Sequence, residues 1–297
     1  MKNSGFANRL FDAANYLLLI LLTLSILVPF VYMFSISVSA PLPIANHQIG
    51  LLPKGINWQS YAAVFHDNQI VNAYWNSIRY TALGTFLVLA IGSLTAYPLS
   101  LRRFKARTAL TLYFTVTMFV SGGLIPAFLN IKSLGMLDTI WAIALPSAFG
   151  FWNIIILRTN FQGIPQELYE SAFMDGANDW HIFTRIVLPL SKAILATISL
   201  FASVGFWNAY FGPLMYLTSP DMQPLTIILR RILIANEVLS SDAVDNANSM
   251  FDAAAFLGRT EGIRMATIFV TIGPIVLVYP FIQKYFVKGV LVGSIKG

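Results

Sequence analysis

Cysteine is absent from this 297-residue chain. That excludes a disulfide framework, a thiolate metal site and a cysteine nucleophile, and says little about compartment. Histidine is scarce: His47, His66 and His181 lie far apart, without an H-E-x-x-H or comparable ligand spacing, so no metal centre is expected. The sequence contains no G-x-x-x-x-G-K-S/T phosphate loop, so this chain is not expected to bind or hydrolyse ATP. Charge is the largest deficit. Only 11% of the residues are Asp, Glu, Lys or Arg, against roughly 25% in an ordinary soluble domain. With 57% hydrophobic residues, 19 Lys and Arg plus 13 Asp and Glu cannot clothe a soluble exterior. Lipid is the expected solvent for much of the surface. The net charge of +6 would suggest nucleic acid in a soluble protein. Here its distribution between loops is the informative quantity, and no nucleic-acid partner is expected.

Runs free of Asp, Glu, Lys and Arg cover Ala13–Pro53, Tyr80–Leu101, Thr108–Ile131, Thr139–Leu157, Ala193–Pro220 and Met265–Gln283. A hydrocarbon core about 30 Å thick takes about 20 helical residues, because backbone groups there must be satisfied within the segment. Each run is long enough. The expected fold is an all-α integral membrane protein, one domain over residues 1–297 with six transmembrane helices. The first helix is placed at Tyr16–Ile36. A cleaved secretion signal is the rival there, but the apolar stretch Leu17 to Phe34 exceeds the usual length and lacks a small-residue cleavage site.

An even number of spans puts both termini on one side. That side collects 12 Lys and Arg and the other 7, and the short loop Leu101–Thr108 alone carries four positive charges and no acid. The positive-inside bias makes this side, and both termini, cytoplasmic. Two external segments follow, about 38–73 and 213–263, and one internal segment, about 158–192. Within the last external segment, Thr226–Leu239 has the periodicity of a short membrane-adjacent helix.

The internal segment carries the strongest signal. Pro165 suits a first helical turn, and Glu167 and Glu170 lie near the positive end of that helix. Tyr169, Ala172, Phe173 and Gly176 follow the spacing of one apolar face. Asp175-Gly176 permits a turn, Asn178 or Asp179 can cap a second short helix, and Pro189 marks entry to the fifth span. Small residues at Ser171 and Ala172 would let another protein approach closely. An interfacial helix lying on lipid is the alternative, although its acids are unlike the Lys/Arg-rich face such helices carry.

The segment Glu170-Ser171-Ala172, then Gly176, then Ile186-Val187-Leu188-Pro189 resembles the E-A-A, G, I-x-L-P signature of permease subunits in binding-protein-dependent ATP-binding-cassette importers. Ser171 departs from the first Ala of that signature, a small-for-small change. Phe104, Ser121-Gly-Gly-Leu-Ile-Pro126 and Gln283-Lys-Tyr-Phe-Val-Lys-Gly289 extend the likeness along the chain. It points to the carbohydrate branch, to the second permease of a maltose-type pair, and to permeases for oligosaccharides released from complex polysaccharides. The resemblance implies several partners: a second homologous permease, a cytoplasmic ATPase dimer holding ATP and Mg, an extracytoplasmic sugar-binding protein, and the lipid of a bacterial cell membrane. It also implies that Glu167, Glu170, Ser171, Ala172, Asp175, Gly176, Arg185 and Pro189 form the ATPase-coupling region. The tail residues Gly293, Lys296 and Gly297 would reach the ATPase interface.

Asn153, Trp207, Asn208 and Tyr210 are candidate substrate-path residues, since polar intramembrane groups usually face protein or water. Helix packing is the simpler role for each taken alone. Two other classes compete. An ion-coupled secondary carrier would call for an inverted repeat or an intramembrane ionisable residue, and neither is convincing here. A membrane enzyme acting on sugars would need paired carboxylates at a definite separation, and Asp138 and Asp221 read better as solvated acids. Deleting Gly293–Gly297 tests the tail. If it reaches the ATPase, ATP turnover by the assembled complex falls; unchanged turnover leaves its lysines with a purely topological role.

Overall fold

The structure is a computed structural model that describes residues 6–232, 234 and 250–294. Among these residues all regular structure is helical. In chain order the helices are α1 (Phe6–Ser37), α2 (Pro41–Ala45), α3 (Gln59–His66), α4 (Asn68–Ser100), α5 (Arg107–Phe119), α6 (Leu124–Ser133), α7 (Ile140–Ala148) and α8 (Phe151–Gln162). There follow α9 (Gln166–Met174), α10 (Asp179–Ile182), a π-helical turn (Phe183–Val187), α11 (Leu188–Leu190), α12 (Lys192–Trp207) and α13 (Phe211–Tyr216). A 3₁₀ turn (Pro220–Met222), α14 over residues 225–232 and α15 (Met250–Ser294) complete the order. The described residues fall into two compact units, one drawn from Met1–Asn68 and Leu229–Ile272, the other from Gln69–Ile228 and Gly273–Gly297.

In the first unit α1 is apolar all round, and residues such as Leu17, Leu21 and Ile26 are exposed. A helix of this kind suits a hydrocarbon surrounding. Its C-terminal end is tied down by hydroxyls: Ser35 donates to Leu51 O at 2.7 Å, and Ser37 Oγ lies 3.0 Å from Tyr61 Oη. The start of α15 meets backbone in the same unit. A Cβ at Gly258 would lie 1.8 Å from Pro41 O, so only glycine permits that approach.

In the second unit α4 is the central rod. Thirty-three residues long, it buries Ile70, Tyr80, Val88, Ala96 and Leu99. Gly84 admits the Phe206 ring of α12, where a Cβ would stand 2.4 Å from the nearest ring carbon, and Gly92 admits Leu157 of α8. Small residues do this work in lipid because association there depends on close packing rather than on expelling water. Leu157, Phe161, Ile182, Val187 and Ile198 complete the core around the C-terminal half of α4.

Polar contacts fasten the other half. Asn76 Nδ2 donates to Asp221 O at 2.6 Å, Tyr80 Oη donates to Met222 O at 2.5 Å, and Leu225 N donates to Ser77 Oγ at 2.8 Å. Asp138 holds the same connection. It accepts from Thr218 N at 2.6 Å, from Ser219 N at 2.8 Å and from the Thr218 hydroxyl. Asp138 is therefore a structural acceptor rather than merely a solvated acid.

Three helices are long and apolar enough to cross a membrane alone, within Asn8–Ser37, Asn68–Ser100 and Ala254–Leu277. Three bent pairs also pass when each is taken together: α5 with α6 (115°), α7 with α8 (49°), and Asp179–Leu190 with α12 (78°). Up to six spans follow among the described residues. The expected boundaries need correcting. α4 begins twelve residues before Tyr80, α15 is already helical at Met250, well ahead of Met265, and α12 stops at Trp207 although the apolar run continues to Pro220. A helix does not end at a charge such as Arg79, which simply projects outward, whereas unbroken apolar sequence can still bend. At Gly123, φ is +87°, a left-handed conformation natural to glycine, and α6 starts there in a new direction.

The hydrogen bonds to Asp138, those from Ser219 and Thr218 foremost, hold its carboxyl below the ordinary carboxylate range. Because the folded-state pKa is lowered, this stabilisation is complete above the unfolded value and is lost as pH falls through the folded one. Asp138→Asn is expected to lower Tm at neutral pH, with the deficit against wild type shrinking as pH drops below the ordinary Asp value. A deficit independent of pH would contradict this.

Candidate functional site

α9 joins α8 to α10 at the end of the second unit where α4 terminates. Pro165 is its N-cap residue, one position before the first turn, with an extended ψ of 135°. Gly176, with φ +77°, turns the chain after Met174, and Ala177 N closes back onto Ala172 O at 2.9 Å. This satisfies carbonyls that would be left open at a helix C-terminus. Asn178 then caps α10, its Oδ1 accepting from His181 N at 2.8 Å.

The helix has two faces. Tyr169 and Ala172 are buried in the core with Phe161, Ile182 and Phe183, and burial pushes the Tyr169 phenol above its usual pKa. Glu167, Glu170, Ser171 and Met174, spaced i, i+3, i+4 and i+7, form the exposed face. Met174 is 88% exposed. The two small residues therefore part company. Ser171 faces outward, whereas Ala172 points into its own bundle, where its size lets α9 lie close. Phe173 stands at the edge of the buried stripe, and Gly176 is exposed beyond the helix.

A polar cluster links this region to the end of α4. Arg103 forms an ion pair with Asp179 and lies over the Phe173 ring, 4.5 Å from its centroid. Tyr97 Oη donates to the same Asp179 oxygen at 3.2 Å, and Arg158 Nε donates to Leu99 O at 3.0 Å. From the sequence alone Arg103 reads as a topological charge and Asp179 as one of two alternative caps. No local pattern marks the pair, because 76 residues separate its members.

Arg185 is exposed within the π-helical turn, and Pro189 is exposed in α11 just before the 78° bend. A π turn commonly marks a functional position in a helix. The candidate substrate-path residues lie at helix breaks. Asn153 is the third residue of α8, its amide folded near Gly150. Trp207 ends α12 and meets Tyr74 edge-on at 5.8 Å, Asn208 is the C-cap and donates to Val204 O, and Tyr210 precedes α13. None of the four joins the cluster at α9. Gly293 lies in α15, while Lys296 and Gly297 fall outside the described residues, as do Glu237, Asp242 and Asp245.

This arrangement is that of a permease subunit with a short helix displayed beyond its spans. The profile of the family described as "Binding-protein-dependent transport system inner membrane component" matches residues 88–292, and the chain belongs to this family. It is thus an integral membrane transport component, a class in which catalysis is not the permease's own task. Bacillus subtilis (strain 168) has a relative, "Polygalacturonan/rhamnogalacturonan transport system permease protein YtcP", which is 39% identical over 98% of this chain and 99% of its own. A solved bacterial ABC transporter "involved in the import of the acidic polysaccharide alginate" matches with a TM-score of 0.84 and 33% identity, covering 96% of this chain and all of that one. A second, "bacterial alginate ABC transporter in complex with alginate pentasaccharide-bound periplasmic protein", shares the fold at a TM-score of 0.55 and 18% identity, covering 90% and 93% of the two chains. An ion-coupled carrier finds no support in these likenesses.

The opposed directions of Ser171 and Ala172 can be tested. Ala172→Leu overfills the core and is expected to cost about 1–3 kcal/mol, while Ser171→Leu, facing out, should change stability by less than about 0.5 kcal/mol. Thermal unfolding of both purified variants measures this. Equal losses would mean that α9 is turned differently.

Proposed function

We propose that this chain forms half of the translocation pathway of an ATP-driven importer for oligosaccharides, and that α9 is its coupling helix. The two-faced seating of α9 carries the reading. One side is embedded in the bundle that contains α4, α8 and α12, and the other offers Glu167, Glu170, Ser171 and Met174 to a partner. A body pressing on the exposed side moves the spans because the buried side is packed into them. ATP binding elsewhere drives transport only if it stabilises one arrangement of the spans over another, and such a helix supplies the mechanical link.

In this reading α9 and both termini are cytoplasmic. The partners are a homologous permease, an ATPase dimer that holds the ATP and Mg, and an extracytoplasmic sugar-binding protein. Asp175, Gly176, Arg185 and Pro189 set the direction in which α9 and α10 leave the bundle. Relatives named for polygalacturonan/rhamnogalacturonan and for alginate support an oligosaccharide cargo. Asn153, Trp207, Asn208 and Tyr210 are proposed to approach its path, because the polar backbone of a helix break is tolerated in a membrane where it lies in protein or lines a water-filled cavity.

Uptake of labelled uronic-acid and neutral oligosaccharides by the whole complex in vesicles tests the reading. Glu170→Lys and Gly176→Leu are expected to reduce ATP-dependent uptake at least about fivefold, a typical coupling magnitude, while ATP turnover continues and the protein stays inserted. Normal uptake by both variants, or uptake without the ATPase, would sink it.

A further inference from the structure

A cavity of about 490 Å³ opens beside α9, between the loop that follows α4 and the end of α8. Arg102, Arg103 and Arg107 line one side, and Gln162, Gln166 and Tyr169 line the other. Among the described residues only Arg103 of these three arginines has an acidic partner, and that partner is Asp179. Arg107 is also close enough for its charge to be felt at Arg158, with no acid paired to either. Like charges gathered around a polar hollow raise the local positive potential and draw in a counter-ion. Topology alone does not account for this. The positive-inside bias needs charge on one side of the membrane, but not three arginines lining one cavity together with Gln162, Gln166 and Tyr169.

We infer that this cavity is a binding site for a phosphate group, carried by an anionic phospholipid headgroup or free in solution. Its depth matches the lipid source. Ser100 ends α4 and Gln162 ends α8, helices apolar enough to belong to spans, and both line the cavity, so it lies at the ends of these helices, on the side where headgroups can reach. Basic pockets between membrane helices take phosphate headgroups in this way, and planar guanidinium forks match phosphate oxygens two at a time. An anion bound here would join the Arg102–Arg107 loop to the inner side of α9. The inference does not rest on the transport reading, since it concerns only which ligand the cavity holds.

The full-length chain in phosphatidylcholine nanodiscs with increasing phosphatidylglycerol provides the test, with native mass spectrometry counting retained phosphatidylglycerol. In a second arm inorganic phosphate is titrated into the chain in pure phosphatidylcholine, and the Tm shift is read. Arg102→Gln with Arg107→Gln should weaken binding about tenfold or more, at about 1 kcal/mol per basic side chain. Arg230→Gln with Arg231→Gln removes the same charge elsewhere and should leave binding intact. Gln162→Glu, which keeps every arginine but adds an acid to the cavity, should weaken binding as well, and it serves if the arginine variant fails to fold. Selective retention of phosphatidylglycerol identifies the lipid source, and a phosphate-induced Tm shift without lipid selectivity identifies the free anion. Both arms unaffected by the cavity variants, or affected equally by Arg230→Gln with Arg231→Gln, overturn the assignment.

Discussion

Lipid offers a backbone nothing to hydrogen-bond with. Every segment of this chain that crosses it must satisfy its own amides, and so the regular structure among the described residues is helical. The same solvent removes the hydrophobic reward for burying leucine against leucine. What holds α4 to its neighbours is close contact: Gly84 against the Phe206 ring and Gly92 against Leu157. Helices that pack this way form a close bundle, and the short α9 is seated in it through Tyr169 and Ala172.

α4 joins two polar fastenings. Near one end Asn76, Ser77 and Tyr80 bind the connection that Asp138 also holds; near the other Tyr97 and Arg103 converge on Asp179. Seventeen residues of helix separate Tyr80 from Tyr97, about 25 Å along the axis. The two fastenings therefore lie at opposite ends of one span. On the proposed reading this is a useful arrangement, because a displacement at the α9 end would be carried by a continuous helix to the far connection instead of being absorbed in a loop.

Membership of the binding-protein-dependent transport family marks the chain as a transport component. It also explains why the chain contains so little chemistry of its own. Among the described residues its distinctive features are a tightly turned short helix, a π-helical turn before a bend, and a basic loop.

Composition and local spacing determined that this is a helical membrane protein and that a short amphipathic helix follows Pro165 and turns at Asp175-Gly176, because both follow from interactions within a few residues. The apolar helices were legible, but their ends were not. Charge marks where a lipid-facing run stops, while helix ends depend on caps and neighbours, as the early start of α4 and the stop of α12 at Trp207 illustrate. Only the tertiary structure decided which way Ala172 faces, that Asp138 fastens Thr218 and Ser219, and that Arg103 meets Phe173 and Asp179. Those contacts join residues about 70 to 80 positions apart, and no periodicity encodes them; packing alone brings them together.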